Sequence, residues 1–333
     1  MVVCNDIRVS LVKCHVDKWR GGPRRNKGGH EKLTTPRHAH NNNNNNQTPH
    51  IAMRLQDKCC VVTGGGGGIG AATCKKFVQE GAKGVVVADI NLEAAEETAK
   101  EINDEFPGKA LAIKVDVSKP EGAQASIDAC VAKFGRLDVY FANAGILGKF
   151  VPIAEESHAS FERTLQVNTV GPFLAIKHAS EAMKKTGGGV VILTSSIASI
   201  RADLTPLQYA ASKGALLSLV ISANDRLLLD NVRVNAVLPG GVMTGMVAGV
   251  AKDLDDQGLF LKGFDFKRYP HAEPEQIANV VAFLASDESS AIKGQCIVAD
   301  GGMANSMGSQ PLPQKKKKET DRNSHEKKKT SKL

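Results

Sequence analysis

The sequence lacks the features that mark several classes of protein. None of its seven cysteines (4, 14, 59, 60, 74, 130 and 296) falls in a Cys-x-x-Cys pair, so neither a zinc site nor a dithiol centre is indicated. The odd count without metal spacing points to reduced thiols in an intracellular compartment. No apolar run approaches the ~18 residues of a membrane span. Nor does the body of the chain carry a basic excess. Residues 1–50 and residues 309–333 each hold nine Lys or Arg against three acids, so of the net +8 each end supplies +6 and the stretch between is −4. The basic character belongs to the tails, and the folded part gives no electrostatic reason to expect nucleic acid.

The two ends also lack apolar periodicity. Residues 1–52, with Gly21-Gly22-Pro23-Arg24-Arg25 and six asparagines from Asn41 to Asn46, read as a disordered extension. Asp6, Asp17 and Glu31 argue against a mitochondrial presequence, and Met53 is a candidate start for a shorter product. Residues 306–333 read as a basic flexible tail, with lysine runs at 315–318 and 327–329. The tail ends in Ser331-Lys332-Leu333, the form of a peroxisomal address. The expected location is therefore the matrix of peroxisomes or a related organelle, reached through an import receptor, with the cytoplasm as the second choice.

What is present, across residues 53–305, is an alternation of short apolar runs and helical patterns. It predicts a single α/β domain, a Rossmann-type doubly wound parallel sheet with right-handed crossovers. The chain is organised around Cys59-Cys60-Val61-Val62-Thr63 followed by five glycines, Gly64 to Gly68, then Ile69-Gly70. Each glycine costs backbone entropy and offers positive φ and close approach. At a strand-to-helix turn those properties let a diphosphate meet backbone N–H groups at a helix N-terminus. Gly64, Gly68 and Gly70 are the functional set, with Ile69 between them. Asp89 ends a second strand, Val85-Val86-Val87-Ala88, about twenty residues on, where an acid can bind both ribose hydroxyls of an adenosine.

Further along, Asn91 is expected to cap one helix, and Ser118 with Glu121 to form a capping box at the start of another. A long helix is expected over about 157–185. Asn143-Ala144-Gly145 closes a fourth strand at the carboxyl edge where ligands bind in open α/β sheets. Asn168 is a poor helix former in an apolar stretch, and a buried asparagine needs partners, structural or in a polar relay. Ser195 and Ser196 end a fifth strand. Tyr209-Ala210-Ala211-Ser212-Lys213 puts a phenol and an ammonium on one helical face. The cation is expected to lower the phenol's pKa from about 10, making Tyr209 a general base. Pro239-Gly240-Gly241-Val242-Met243-Thr244 follows the sixth strand and could present backbone groups and a hydroxyl to a nicotinamide carboxamide.

These motifs together resemble the short-chain dehydrogenase/reductases over about residues 54–302: Thr63-Gly64-x-x-x-Gly68-Ile69-Gly70, Asp116, Asn143-Ala144-Gly145, Asn168, Ser196, Tyr209-x-x-x-Lys213 and Pro239-Gly240. The resemblance implies NAD as cofactor, Tyr209 as acid/base, Ser196 on the substrate oxygen, and Lys213 on the nicotinamide ribose. It further implies Asn168 holding a relay water, Asp116 and Val117 at the adenine, and a homotetramer or homodimer. The expected reaction moves hydride between NAD and a secondary alcohol or ketone. The alternatives are an NADPH-dependent reductase of 3-oxoacyl or enoyl thioesters and a non-catalytic dinucleotide-binding regulator. Substrate choice is expected to lie in residues 201–208 and 245–272, the latter holding Phe260, Phe264, Phe266 and Tyr269.

Overall fold

Seven parallel strands form one sheet in the order β3-β2-β1-β4-β5-β6-β7. The structure, a computed structural model, describes residues 53–201, 205–245 and 271–306; the expected extensions, and with them the aromatics of 245–272, lie outside the described residues. The strands are β1 (Cys59–Thr63), β2 (Gly84–Asp89), β3 (Ala110–Lys114), β4 (Val139–Ala142), β5 (Gly189–Thr194), β6 (Val232–Pro239) and β7 (Cys296–Ala299). All residues of β1, β4 and β6 are buried. That is why β1 and β4 read as near-continuous apolar runs, while β6 holds its buried Arg233 and Asn235 through bonds to the carbonyls of Leu284, Ser286 and Ile292.

Side chains alternate between the two faces. Cys60, Val62, Val85 and Val87 pack with α1 (Gly68–Gln79), α2 (Leu92–Glu105) and a late helix, Pro274–Ala285, which is α7 here. Cys59, Val61, Val86 and Ala88 face α3 (Pro120–Phe134), α5 (Gly171–Lys184) and α6 (Leu207–Leu227). A short α4 (His158–Leu165) precedes α5. The order of the sheet reverses between β1 and β4, where Cys60 pairs with Val139 and Val62 with Phe141. A ligand crevice opens at such a switch point.

Two local expectations are corrected. The 157–185 stretch is interrupted: between α4 and α5 a π turn spans Gln166–Val170 and contains Asn168. Ser118 caps nothing. The N-cap of α3 is Lys119, because Pro120 fixes the first helical position, and the Ser118 hydroxyl donates instead to Asp116 Oδ1 at 2.6 Å. The Asn91 cap is present, its Oδ1 accepting from the Ala94 N–H.

Candidate active site

The glycine turn is pressed between three elements. A Cβ on Gly64, which has φ +65°, would come within 2.9 Å of Ala144 Cα; one on Gly65 would meet Val87 Cγ1, and one on Gly66 the Cβ of Ala94 at the start of α2, both at 2.8 Å. A Cβ on Gly70 would run into the Gly64 carbonyl, and one on Gly68 would meet the Thr244 methyl at 2.9 Å. Gly67, the N-cap of α1, alone faces open space, and no side chain caps the helix there. The first N–H groups of α1 therefore suit an anion. Asp89 stands beside the turn, Oδ2 accepting from Gly66 N–H and Oδ1 from Asn91 N–H. A dinucleotide's diphosphate and adenosine ribose fit this cradle: small, donor-rich and flanked by one acid.

The neighbouring strand end is knitted to it. The Thr63 hydroxyl accepts from the N–H groups of Asn143 and Ala144, and Asn143 Nδ2 donates to the carbonyls of Thr63 and Gly64. Thr194, at the end of β5, donates its hydroxyl to Asn143 Oδ1. Beyond β3, Asp116 accepts from both the N–H and the hydroxyl of Ser118. These bonds, with Arg163 nearby, hold its carboxyl below the usual range. Val117 leans on Gly171, where a Cβ would lie 3.1 Å from the Val117 carbonyl.

Ser196, Tyr209, Lys213 and Asn168 gather on the other side of the switch point. The Ser196 hydroxyl donates to the Pro239 carbonyl at 3.5 Å and accepts from the Ala198 N–H at 3.1 Å, and it lies near enough to the Tyr209 phenol to favour its ionised form. Lys213 is buried, donates to the Thr194 carbonyl at 2.7 Å, and stands 5.7 Å from the centre of the Tyr209 ring. Asn168 is fully buried. Its Oδ1 accepts from Ile146 N–H, and its Nδ2 donates to Ile146 O and Ser212 Oγ. Both amide hydrogens are thus engaged by the protein, which leaves the second lone pair of Oδ1 and the backbone to meet a relay water. After β6, Gly240 lies against Asp300, Val242 is buried and bridges Ala272, and Thr244 sits over Gly68. Each proposed site residue from Gly64 to Thr244 borders the carboxyl edge of the sheet.

One electrostatic expectation fails. The Tyr209 pKa is raised, not lowered: burial outweighs the nearby Ser196 hydroxyl. The same burial brings Lys213 down to about 8. Lys213 is enclosed and Tyr209 half-buried, and desolvation opposes the charge of each. Thr194 and Ser212 were not singled out from sequence. Their signals were adjacency to Ser195-Ser196 and the Tyr209-x-x-x-Lys213 spacing.

The comparisons with known proteins agree with this geometry. A family model described as enoyl-(acyl carrier protein) reductase matches residues 65–304. Short chain aldehyde dehydrogenase 1 of Euphorbia lathyris is 38% identical over 259 residues, 75% of this chain and 88% of that one. A short-chain type dehydrogenase/reductase from Mycobacterium marinum superposes with a TM-score of 0.68 at 30% identity, covering 76% of this chain and 97% of its own. A 7α-hydroxysteroid dehydrogenase, solved with NADH and 7-oxo glycochenodeoxycholic acid, gives 0.68 at 31% identity, covering 76% and 96%. The chain belongs to the short-chain dehydrogenase/reductase family of oxidoreductases.

Proposed function

We propose that the protein is an NAD(H)-dependent oxidoreductase of secondary alcohols and ketones, with Tyr209 as its acid/base. What supports this most is the meeting of Ser196, Tyr209 and Lys213 beside the glycine cradle. Bound NAD supplies the hydride chemistry; the chain handles the proton. Ser196 Oγ holds the substrate oxygen. Tyr209 Oη passes its proton to that oxygen when a ketone is reduced and takes it back when an alcohol is oxidised. The Lys213 ammonium offsets the charge of the phenolate formed. Because burial raises Tyr209, the protonated form dominates at neutral pH. Ketone reduction should therefore fall, and alcohol oxidation rise, as the pH moves into the alkaline range.

NAD is preferred over NADP in this reading, because Asp89 would repel a 2′-phosphate and neither Ile90 nor Asn91 is basic. The description of the matched family keeps one second reading, reduction of enoyl or 3-oxoacyl thioesters, in the assay. Secondary alcohols, hydroxysteroids and 3-hydroxyacyl thioesters are offered with NAD⁺ or NADP⁺ to the unmodified protein and to Tyr209→Phe. Turnover in the variant should fall at least ~10²-fold with cofactor binding intact. Near-normal turnover would overturn the role of Tyr209, and equal kcat/KM with the two cofactors the NAD preference. The proposal includes oligomerisation and peroxisomal import through Ser331-Lys332-Leu333.

A further inference from the structure

Gln208 precedes Tyr209 at the start of α6 and is fully buried. Its Nε2 donates to the Lys149 carbonyl at 3.0 Å. Its amide also lies against Gly148, so closely that a Cβ there would collide with it, and Gly148 has φ +81°. The segment Gly145–Lys149, which leaves the end of β4, touches the reactive corner at three places. A Cβ on Gly145 would be 3.4 Å from Lys213 Nζ; Ile146 is gripped through both backbone groups by Asn168; Lys149 is gripped by Gln208. Asn168 in turn holds Ser212, whose hydroxyl donates to the Tyr209 carbonyl. The segment is thus pinned to the same helix that carries the acid/base.

The other half of the Gln208 amide is what makes the residue informative. Its Oε1 is buried and has no hydrogen-bond donor, and neither has the buried Thr205 Oγ1 three residues earlier. A buried carbonyl without a donor opposes folding, and largely offsets what the bond to Lys149 contributes. An apolar side chain of similar length would serve stability as well or better. We infer that Gln208 is a positioning residue: it fixes Gly145–Lys149 as a wall of the substrate site at a set distance from Tyr209. The inference rests on the proposed Tyr209 chemistry. A wall misplaced by about an ångström leaves the proton transfer possible and spoils the approach of the substrate.

Gln208→Met keeps the bulk and removes both the donor and the orphan oxygen. Gln208→Glu keeps the shape and sets a carboxylate against the Lys149 carbonyl. With the best alcohol from the panel, both variants should show kcat/KM lower by roughly ten- to a hundredfold, mainly through KM, with the dissociation constant of NADH unchanged. Gln208→Met should melt no lower than the unmodified protein. Unchanged KM in both variants, or a loss of melting temperature that accounts for the loss of activity, would overturn the positioning role. Tyr209→Phe, run alongside, separates the two ideas. It loses turnover if the acid/base assignment holds, whatever Gln208 does.

Discussion

Lys213 occupies a place hostile to a lysine: buried, with the Thr194 carbonyl as its hydrogen-bond acceptor and, among the described residues, no ion pair. A lysine pKa of about 8 in the folded state, against 10.5, corresponds to a penalty of about 3 kcal/mol at neutral pH. As the pH rises through about 8 the folded protein loses this proton first, while the unfolded chain keeps it to near 10.5. In that window the unfolded state binds more protons and stability rises with pH. Lys213→Met removes the penalty and leaves the Thr194 carbonyl without its donor, a loss of about 1 kcal/mol. The variant should be inactive yet melt higher than the parent at pH 7, with the gap closing towards pH 10. A gap independent of pH would show that the lysine is not desolvated as described. Motif order and the family resemblance singled out Asn168, Ser196, Tyr209 and Lys213 in the sequence. They could not reveal Gln208, whose partners lie some sixty residues away in a loop without a pattern of its own, nor the direction of the Tyr209 shift, which depends on burial.

Among the elements, the glycine turn makes the sharpest prediction because its members are not equivalent. Gly70→Ala forces a Cβ into the Gly64 carbonyl, whereas Gly67→Ala adds one into open space at φ −173°, an extended conformation open to any residue. In NADH fluorescence titrations Gly70→Ala should weaken binding at least ~10-fold, and Gly67→Ala should stay within about threefold. Equal losses would mean that the turn acts through flexibility rather than through packing. The turn itself was plain in the sequence, as were β1, β2 and the Asn91 cap, since each rests on local preference. The π turn was only half legible: Asn168 is a poor helix former and Pro172 has no N–H for the Asn168 carbonyl, but neither shows that the 157–185 helix widens there. What holds Asn168 there comes from Ile146 and Ser212, distant in the chain. Ser118 misled for a related reason. Pro120 overrode its capping preference and Asp116 took its hydroxyl.

For the whole molecule, the charge division between tails and body bears on location. A fluorescent fusion with the C-terminus free should collect in peroxisomes, and the same fusion without Ser331 to Leu333 should not. Identical distributions would refute the address. The sheet order has a consequence of another kind. β1 is completed by β2 on one edge, yet its other edge waits for β4, with Cys60 opposite Val139. During synthesis, everything from Lys58 to Phe141 must leave the ribosome before β1 is enclosed, and parallel pairing over such separations is slow. A nascent chain halted before Val139 therefore displays Cys59-Cys60-Val61-Val62 along a bare edge. It should depend on chaperones until the next four residues arrive.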